Sequence, residues 1–254
     1  MAYRSIRVKS EARAVWITLD RPPLNILDIP MMRELSEAVS DLGPRHDVLV
    51  FAGAGERGFS AGAEVRDHTR ECAGEMLAAF HEIFRRLARS DCTTIAAIHG
   101  HCLGAGNELA AFCDFAIAAE SATFGQPEVK LGCFPPVAMV ILPRLIGMRA
   151  ALDLILTGRT ISAAQAHSLG LVTRMVADHD LHHASVELVA QLSAFSSRVI
   201  RTSRNALRRA GGFDFDAALR EMEEIYLEQL MKTEDAAEGV RAFLEKRVPV
   251  WQDR

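Results

Sequence analysis

The sequence predicts an α/β protein built on a mainly parallel sheet, and three features carry that prediction. Three uncharged apolar runs, VLVFA at 48–52, TTIAAI at 93–98 and FAIAA at 115–119, have strand length and no polar alternation, as strands buried on both faces do. Segments of helical period lie between them, and strand–helix–strand order implies parallel pairing through right-handed crossovers. Beyond residue 145 the pattern changes to one dominated by helices.

Taken in order, residues 6–8 and 14–19 (AVWITL) read as short strands, and residues 30–42 as an amphipathic helix closed by Gly43-Pro44. The strand at 48–52 stops at Gly53. Residues 72–88 are helical by period and lead to the strand at 93–98; residues 104–112 are helical and lead to the strand at 115–119. Helices follow at 150–156 and 163–169, a short strand at 171–176, and helical periodicity from 181 to 244. Residues 1–195 form the expected core and 196–254 a helical C-terminal region, with neither a long linker nor an internal repeat. That tail carries Phe213, Phe215, Met222, Ile225, Tyr226, Leu230, Phe243 and Leu244, which must be buried, with another subunit as one destination.

Composition bounds the function. A 254-residue chain that is 49% hydrophobic and 24% charged is ordinary globular material. Its net charge of −4, with acids and bases interspersed, creates no field to attract nucleic acid or an anionic membrane, so an anionic ligand needs a local site. The N-terminal stretch has no apolar h-region and no run of 18 apolar residues occurs, so a soluble, cytoplasmic protein is expected. The five cysteines are unpaired in number and lack C-x-x-C spacing, which fits reduced thiols.

Several motifs suggest chemistry. Gly58-Phe59-Ser60-Ala61-Gly62 spells the G-x-S-x-G of a serine hydrolase, with Asp153 and His179, His182 or His183 as paper partners. An elbow, however, places its serine directly between strand and helix, and here the expected strand ends well before Ser60. His99 and His101 flank Gly100 without a second ligand pair, so no metal site is expected. The turn HGHCLGAGNELA at 99–110 lacks the third glycine of a dinucleotide fingerprint, since Leu109 stands there. It does offer free backbone N–H groups at a helix N-terminus, where aligned peptide dipoles favour negative charge. Glu108 follows one turn later amid Leu103, Leu109, Ala110, Ala111 and Phe112, where a charge is expensive unless used. Glu128 follows Pro127, which stiffens the loop presenting it.

GFSAGAE after a buried strand, HGHCLGAGNELA, FGQPEVKLG and AFLEKRVPVW, in that order, closely resemble the crotonase (enoyl-CoA hydratase/isomerase) superfamily from about residue 6 to 251. The resemblance implies a ClpP/crotonase-like fold, a spiral of ββα repeats with a helical C-terminal trimerisation region. It makes Ser60 a bystander and implies that the backbone N–H groups of Ala63 and Ala105 form an oxyanion hole around the thioester oxygen of an acyl-CoA. Ala61, Gly62, Glu64, Gly104 and Gly106 would bound the substrate, small residues letting the thioester approach. Both glutamates of the family's hydratases are matched: Glu128 would exchange a proton with the substrate carbon while Glu108 holds and activates water. Phe243 would line the acyl pocket and Lys246 reach the CoA phosphates, usually across a subunit boundary. No cofactor is implied beyond coenzyme A as part of the substrate, and assembly as a homotrimer or hexamer is. Where hydratases of the family carry a G-A-G-G-type segment, this chain has Cys133-Phe134-Pro135-Pro136-Val137-Ala138-Met139, and RPPLNILDIPMM replaces the usual R-P-x-x-x-N-A-L. Both segments resemble the cyclohexa-1,5-diene-1-carbonyl-CoA hydratases of aromatic degradation. A linear enoyl-CoA substrate and a non-catalytic binding protein of the same fold are the alternatives.

Overall fold

The computed structural model describes residues 3–11 and 13–253. In chain order the elements are β1 (Ile6–Glu11), β2 (Ala14–Leu19), α1 (Ile29–Leu42), β3 (Val48–Gly53), β4 (Gly58–Ser60), α2 (Ala73–Arg89), β5 (Thr93–Ile98), β6 (His101–Leu103), α3 (Ala105–Phe112), β7 (Phe115–Ala119) and β8 (Thr123–Gly125). They continue as α4 (Pro136–Leu145), α5 (Met148–Thr157), β9 (Thr160–Ser162), α6 (Ala163–Leu169), β10 (Arg174–Val176), α7 (Leu181–Ser193), α8 (Ser197–Ala210), α9 (Phe215–Glu224) and α10 (Glu234–Leu244).

The expected sheet is present, with order β1-β2-β3-β5-β7-β10; only β1 and β2 pair antiparallel. A second sheet, β4-β6-β8-β9, is built from three-residue strands, of which β8 and β9 pair antiparallel. Each central strand of the first sheet is thus followed by a short strand of the second and then a helix, a ββα unit repeated as β3-β4-α2, β5-β6-α3 and β7-β8-α4. This is the crotonase fold.

The apolar runs behave as their composition requires. Leu49 and Phe51 of β3 face the core under α1 and α2, whereas Val48 and Val50 face Trp16, Ile95 and Ile117 and the inner side of α7 through Ala184 and Leu188. Alternate residues of one strand therefore fill two cores.

Pro136 occupies the first turn of α4, where a missing N–H costs nothing. The structure corrects two expectations. The segment from 181 to 244 is four helices, broken by a π-helical turn at Ile225–Gln229 and a 3-10 turn at Leu230–Lys232. The strand expected at 171–176 is only Arg174–Val176. The apolar tail finds much of its cover within the chain: α9 packs on α4 and α2, and α10 on the 3-10 turns Val65–His68 and Pro127–Leu131. Among the described residues no helix is long and apolar enough to cross a membrane.

Candidate active site

Two turns, each passing from the second sheet toward a helix, meet at one place. After β4 the chain runs Ala61-Gly62-Ala63, and after β6 it runs Gly104-Ala105 into α3. Gly62 has φ +113°, and a Cβ there would lie 3.4 Å from the Leu103 carbonyl oxygen and 3.8 Å from the Ala105 nitrogen, so the turns are in contact. The Ala63 and Ala105 amides donate to no acceptor among the described residues. Asn25, wholly buried, clamps the first turn: its Nδ2 donates to the carbonyls of Ala54 and Gly58, both at 2.9 Å, and of Phe59 at 3.2 Å.

Ser60 is not placed as a nucleophile. Its buried Oγ donates to the Asn25 carbonyl at 2.8 Å and accepts from Gly62 N at 3.2 Å, and among the described residues no histidine bonds it. The hydroxyl shapes the turn that aims Ala63. His99 and His101 pair separately, with the Gly55 carbonyl at 2.9 Å and Thr123 Oγ1 at 3.1 Å, and among the described residues no group of three potential ligands could hold a metal ion.

Glu108 and Glu128 stand on the second turn and beyond it. Glu108, on the first turn of α3, is 3% exposed; Glu128 is 9% exposed, on the 3-10 turn Pro127–Leu131 rather than in an open loop. Glu108 Oε1 accepts from the Ala138 amide at 2.8 Å. Ala138 belongs to the first turn of α4, whose own N-cap, Pro135, offers no side-chain cap. Glu108 therefore caps the next helix, at the end where its dipole favours an anion. The amide of Gln126 satisfies its surroundings in one orientation: it donates to both Glu128 oxygens at 3.2 Å and accepts from Asn107 Nδ2 at 3.3 Å.

Burial pushes the Glu108 carboxyl up to about 7, against the pull of the Ala138 and Val137 amides. Burial, and then the charge of Glu108, push Glu128 well above the ordinary carboxylate range. Two such groups in one dry site do not both ionise readily, so the pair releases its protons in separate steps, both displaced above the ordinary carboxylate range.

A cavity of about 410 Å³ joins these parts. Ala61, Gly62, Ala63, Gly104, Ala105, Glu108, Glu128 and Phe243 line it, so most residues expected there meet. Three do not. Glu64 turns away to accept from Arg66 N; Gly106 packs on Ser60, where a Cβ would come within 2.7 Å of the Ser60 Cβ; and Lys246 is exposed, outside the lining. Phe243 lines the cavity of its own chain while 55% exposed. Lys130, inside the FGQPEVKLG motif but not singled out there, also lines it, as do His68, Phe80 and Tyr226, which no motif marks in the sequence. His68 Nδ1 pairs with the Glu64 carbonyl at 3.0 Å, and burial pushes this histidine down, toward the neutral form.

The fold and this cleft define a crotonase-type protein, and comparison with known proteins agrees. The enoyl-CoA hydratase/isomerase family profile matches residues 9–254. A probable enoyl-CoA hydratase of Mycobacterium bovis is 38% identical, with 100% of both chains covered. The cyclohexa-1,5-dienecarbonyl-CoA hydratase of Thauera aromatica is 34% identical, over 94% of this chain and 92% of that one. The crystal structure of an enoyl-CoA hydratase from Mycobacterium avium subsp. paratuberculosis superposes with a TM-score of 0.89 at 26% identity, over 99% of this chain and 100% of the other. The chain belongs to the enoyl-CoA hydratase/isomerase family, and it is an enzyme of the hydro-lyase type.

Proposed function

We propose that the protein adds water across the conjugated double bond of an enoyl- or dienoyl-CoA thioester, with cyclohexa-1,5-diene-1-carbonyl-CoA as its substrate. The observation that carries this is the meeting of two unpaired amides from separate turns with two buried carboxyls in one cavity. The Ala63 and Ala105 N–H groups hold the thioester oxygen. Charge that develops on it as the enolate forms is stabilised by both donors and by the dipole of α3, a class of contact worth about 2.7–4 kcal/mol per donor.

In the hydration direction Glu108 is ionised and Glu128 protonated. Glu108 takes a proton from water as the water oxygen bonds the β-carbon, and Glu128 gives its proton to the α-carbon. The pair then exchanges a proton to reset. Glu108 is suited to the base role because the α4 amides favour its charged form. The support for a ring is the aromatic wall of Phe80, Phe134, Tyr226 and Phe243, together with the Pro135-Pro136 entry to α4 and the Thauera relative. A linear enoyl-CoA has its own support, since relatives such as the short-chain-enoyl-CoA hydratase of Clostridium acetobutylicum (32% identical) bear that name.

Lys130, at the cavity, is the basic group on this chain best placed to meet the CoA phosphates. Assembly as a homotrimer or dimer of trimers is part of the proposal, supported by the exposed apolar residues Met148, Leu152 and Leu156 along α5, with Leu145 at the end of α4. The test is loss of enoyl-thioester absorbance with crotonyl-CoA and with the cyclic dienoyl-CoA. Faster turnover of the ring substrate is expected; turnover of neither would sink the proposal, and preference for crotonyl-CoA would move it to the linear substrate.

A further inference from the structure

Tyr226 stands on the π-helical turn Ile225–Gln229 that follows α9, an irregularity often found where a side chain must be re-aimed at a functional site. It is 1% exposed, its ring lies edge-on to Phe134 at 5.1 Å between centroids, and it lines the cavity that holds Glu108 and Glu128. Its Oη meets no partner in hydrogen-bonding geometry among the described residues, and the Cys133 thiol beside it is only a weak one. A buried phenol left with so weak an acceptor costs free energy, because water would have satisfied it in the unfolded chain. Burial and the neighbouring Cys133, Glu128 and Glu108 hold the phenol protonated, so it has a proton to donate.

The site itself supplies the missing acceptor during the reaction. A water held by carboxylates gives them its hydrogens and is left with unused lone pairs. As Glu108 draws off a proton, negative charge grows on that same oxygen. We propose that the Tyr226 hydroxyl donates a hydrogen bond to the oxygen that joins the β-carbon: that of the attacking water in hydration, and that of the 3-hydroxyl group in the product. This rests on the hydratase reading and adds a substrate contact to it. The bond transfers no proton, so the balance of the reaction is unchanged, and it is strongest where the oxygen is most hydroxide-like, in the transition state.

The test is Tyr226→Phe in the full-length protein. Expected is a fall of roughly 10- to 100-fold in kcat for hydration, with kcat/KM falling by the same factor in hydration and dehydration because the overall equilibrium fixes the ratio of the two. Affinity for 3-hydroxybutyryl-CoA should fall by about 3- to 10-fold while that for butyryl-CoA, which lacks the oxygen, stays within about twofold. Unchanged kcat, or equal loss of affinity for both ligands, overturns the proposal. A second measurement needs no change at Tyr226. The chain has two tyrosines, so Tyr3→Phe protein labelled with 3-fluorotyrosine carries one fluorine reporter. Its resonance should move with 3-hydroxybutyryl-CoA beyond any shift caused by butyryl-CoA; identical shifts overturn the proposal. Failure of the hydratase reading shows separately, as no loss of enoyl absorbance with the unaltered protein.

Discussion

At the scale of single residues the two glutamates work against the fold that holds them. A carboxyl whose folded pKa lies above its unfolded value binds more protons in the native state, so stability is lost as pH rises from the unfolded pKa through the folded one. Glu108 and Glu128 are both raised, and both therefore weaken the protein at neutral pH. Glu108→Gln and Glu128→Gln keep the side-chain shape and remove the raised titration. Each should raise Tm by about 2–4 °C per kcal/mol recovered at pH 8, with the gain vanishing in scans near pH 4. Hydration should meanwhile drop by about 10²–10⁴-fold in either variant. Loss of stability together with activity would mean that the carboxylates are structural. The pH profile follows from the two raised carboxyls: kcat/KM should rise as the first proton leaves, along a limb displaced upward toward 7, and fall as the second leaves. Gly104 is the third residue on which this geometry turns. It has φ +51°, and a Cβ there would lie 2.5 Å from Glu128 Oε1, so Gly104→Ala both strains the turn and displaces the acid. A loss of activity exceeding about 100-fold with the chain still folded by circular dichroism is expected.

Elements explain why part of this was legible in the sequence and part was not. The long strands and helices declare themselves because whole runs repeat one period: VLVFA is apolar at every position and TTIAAI carries no charge, and α6 fell at 163–169 as expected. The second sheet is invisible by the same criterion, since β4, β6, β8 and β9 are three residues each and span no complete pattern. Helix α4 hid behind its prolines, which usually signal loops; one sits harmlessly at the helix start and Pro143 lies inside it. Motif letters placed Ala63, Ala105, Glu108 and Glu128 at the cleft. They could not place Tyr226, because its position depends on how α9 docks, a matter of tertiary contact. That docking has a charged clasp: Arg85 of α2 meets Asp216 at 2.9 Å and Glu223 at 2.7 Å, and His81 meets Glu223 at 2.6 Å. Burial pushes the His81 imidazole down although Glu223 opposes it. Arg85→Ala should cost about 1–3 kcal/mol, as loss of charge-assisted hydrogen bonds does. If α9 carries the cavity wall, KM for the acyl-CoA should rise as well; a changed Tm with unaltered kinetics would separate clasp from site.

At the scale of the whole molecule, helix α5 carries an uncovered apolar stripe. Met148, Leu152 and Leu156 recur at four-residue spacing, so one face of α5 projects them together, and they are 59%, 47% and 61% exposed, with Leu145 beside them at 44%. Singly exposed leucines are ordinary on any protein, but a continuous stripe on a helix is a contact surface. It lies next to the site, because α5 packs against the 3-10 turn Pro127–Leu131 that carries Glu128 and Lys130. A neighbour seated on α5 would brace that turn from behind, coupling assembly to the acid's position. Leu152→Lys combined with Leu156→Lys adds two like charges to the stripe and removes its apolar centre. Sedimentation of the unaltered protein should give three or six times the 27.9 kDa chain mass, and the double variant should shift toward the single chain. Activity of the dissociated chain should fall through kcat, not through KM alone, since Glu128 and not only the CoA contacts would be loosened. An unaltered protein that sediments as a monomer at micromolar concentration would remove the stripe's role in assembly and leave the cleft to be held by its own chain.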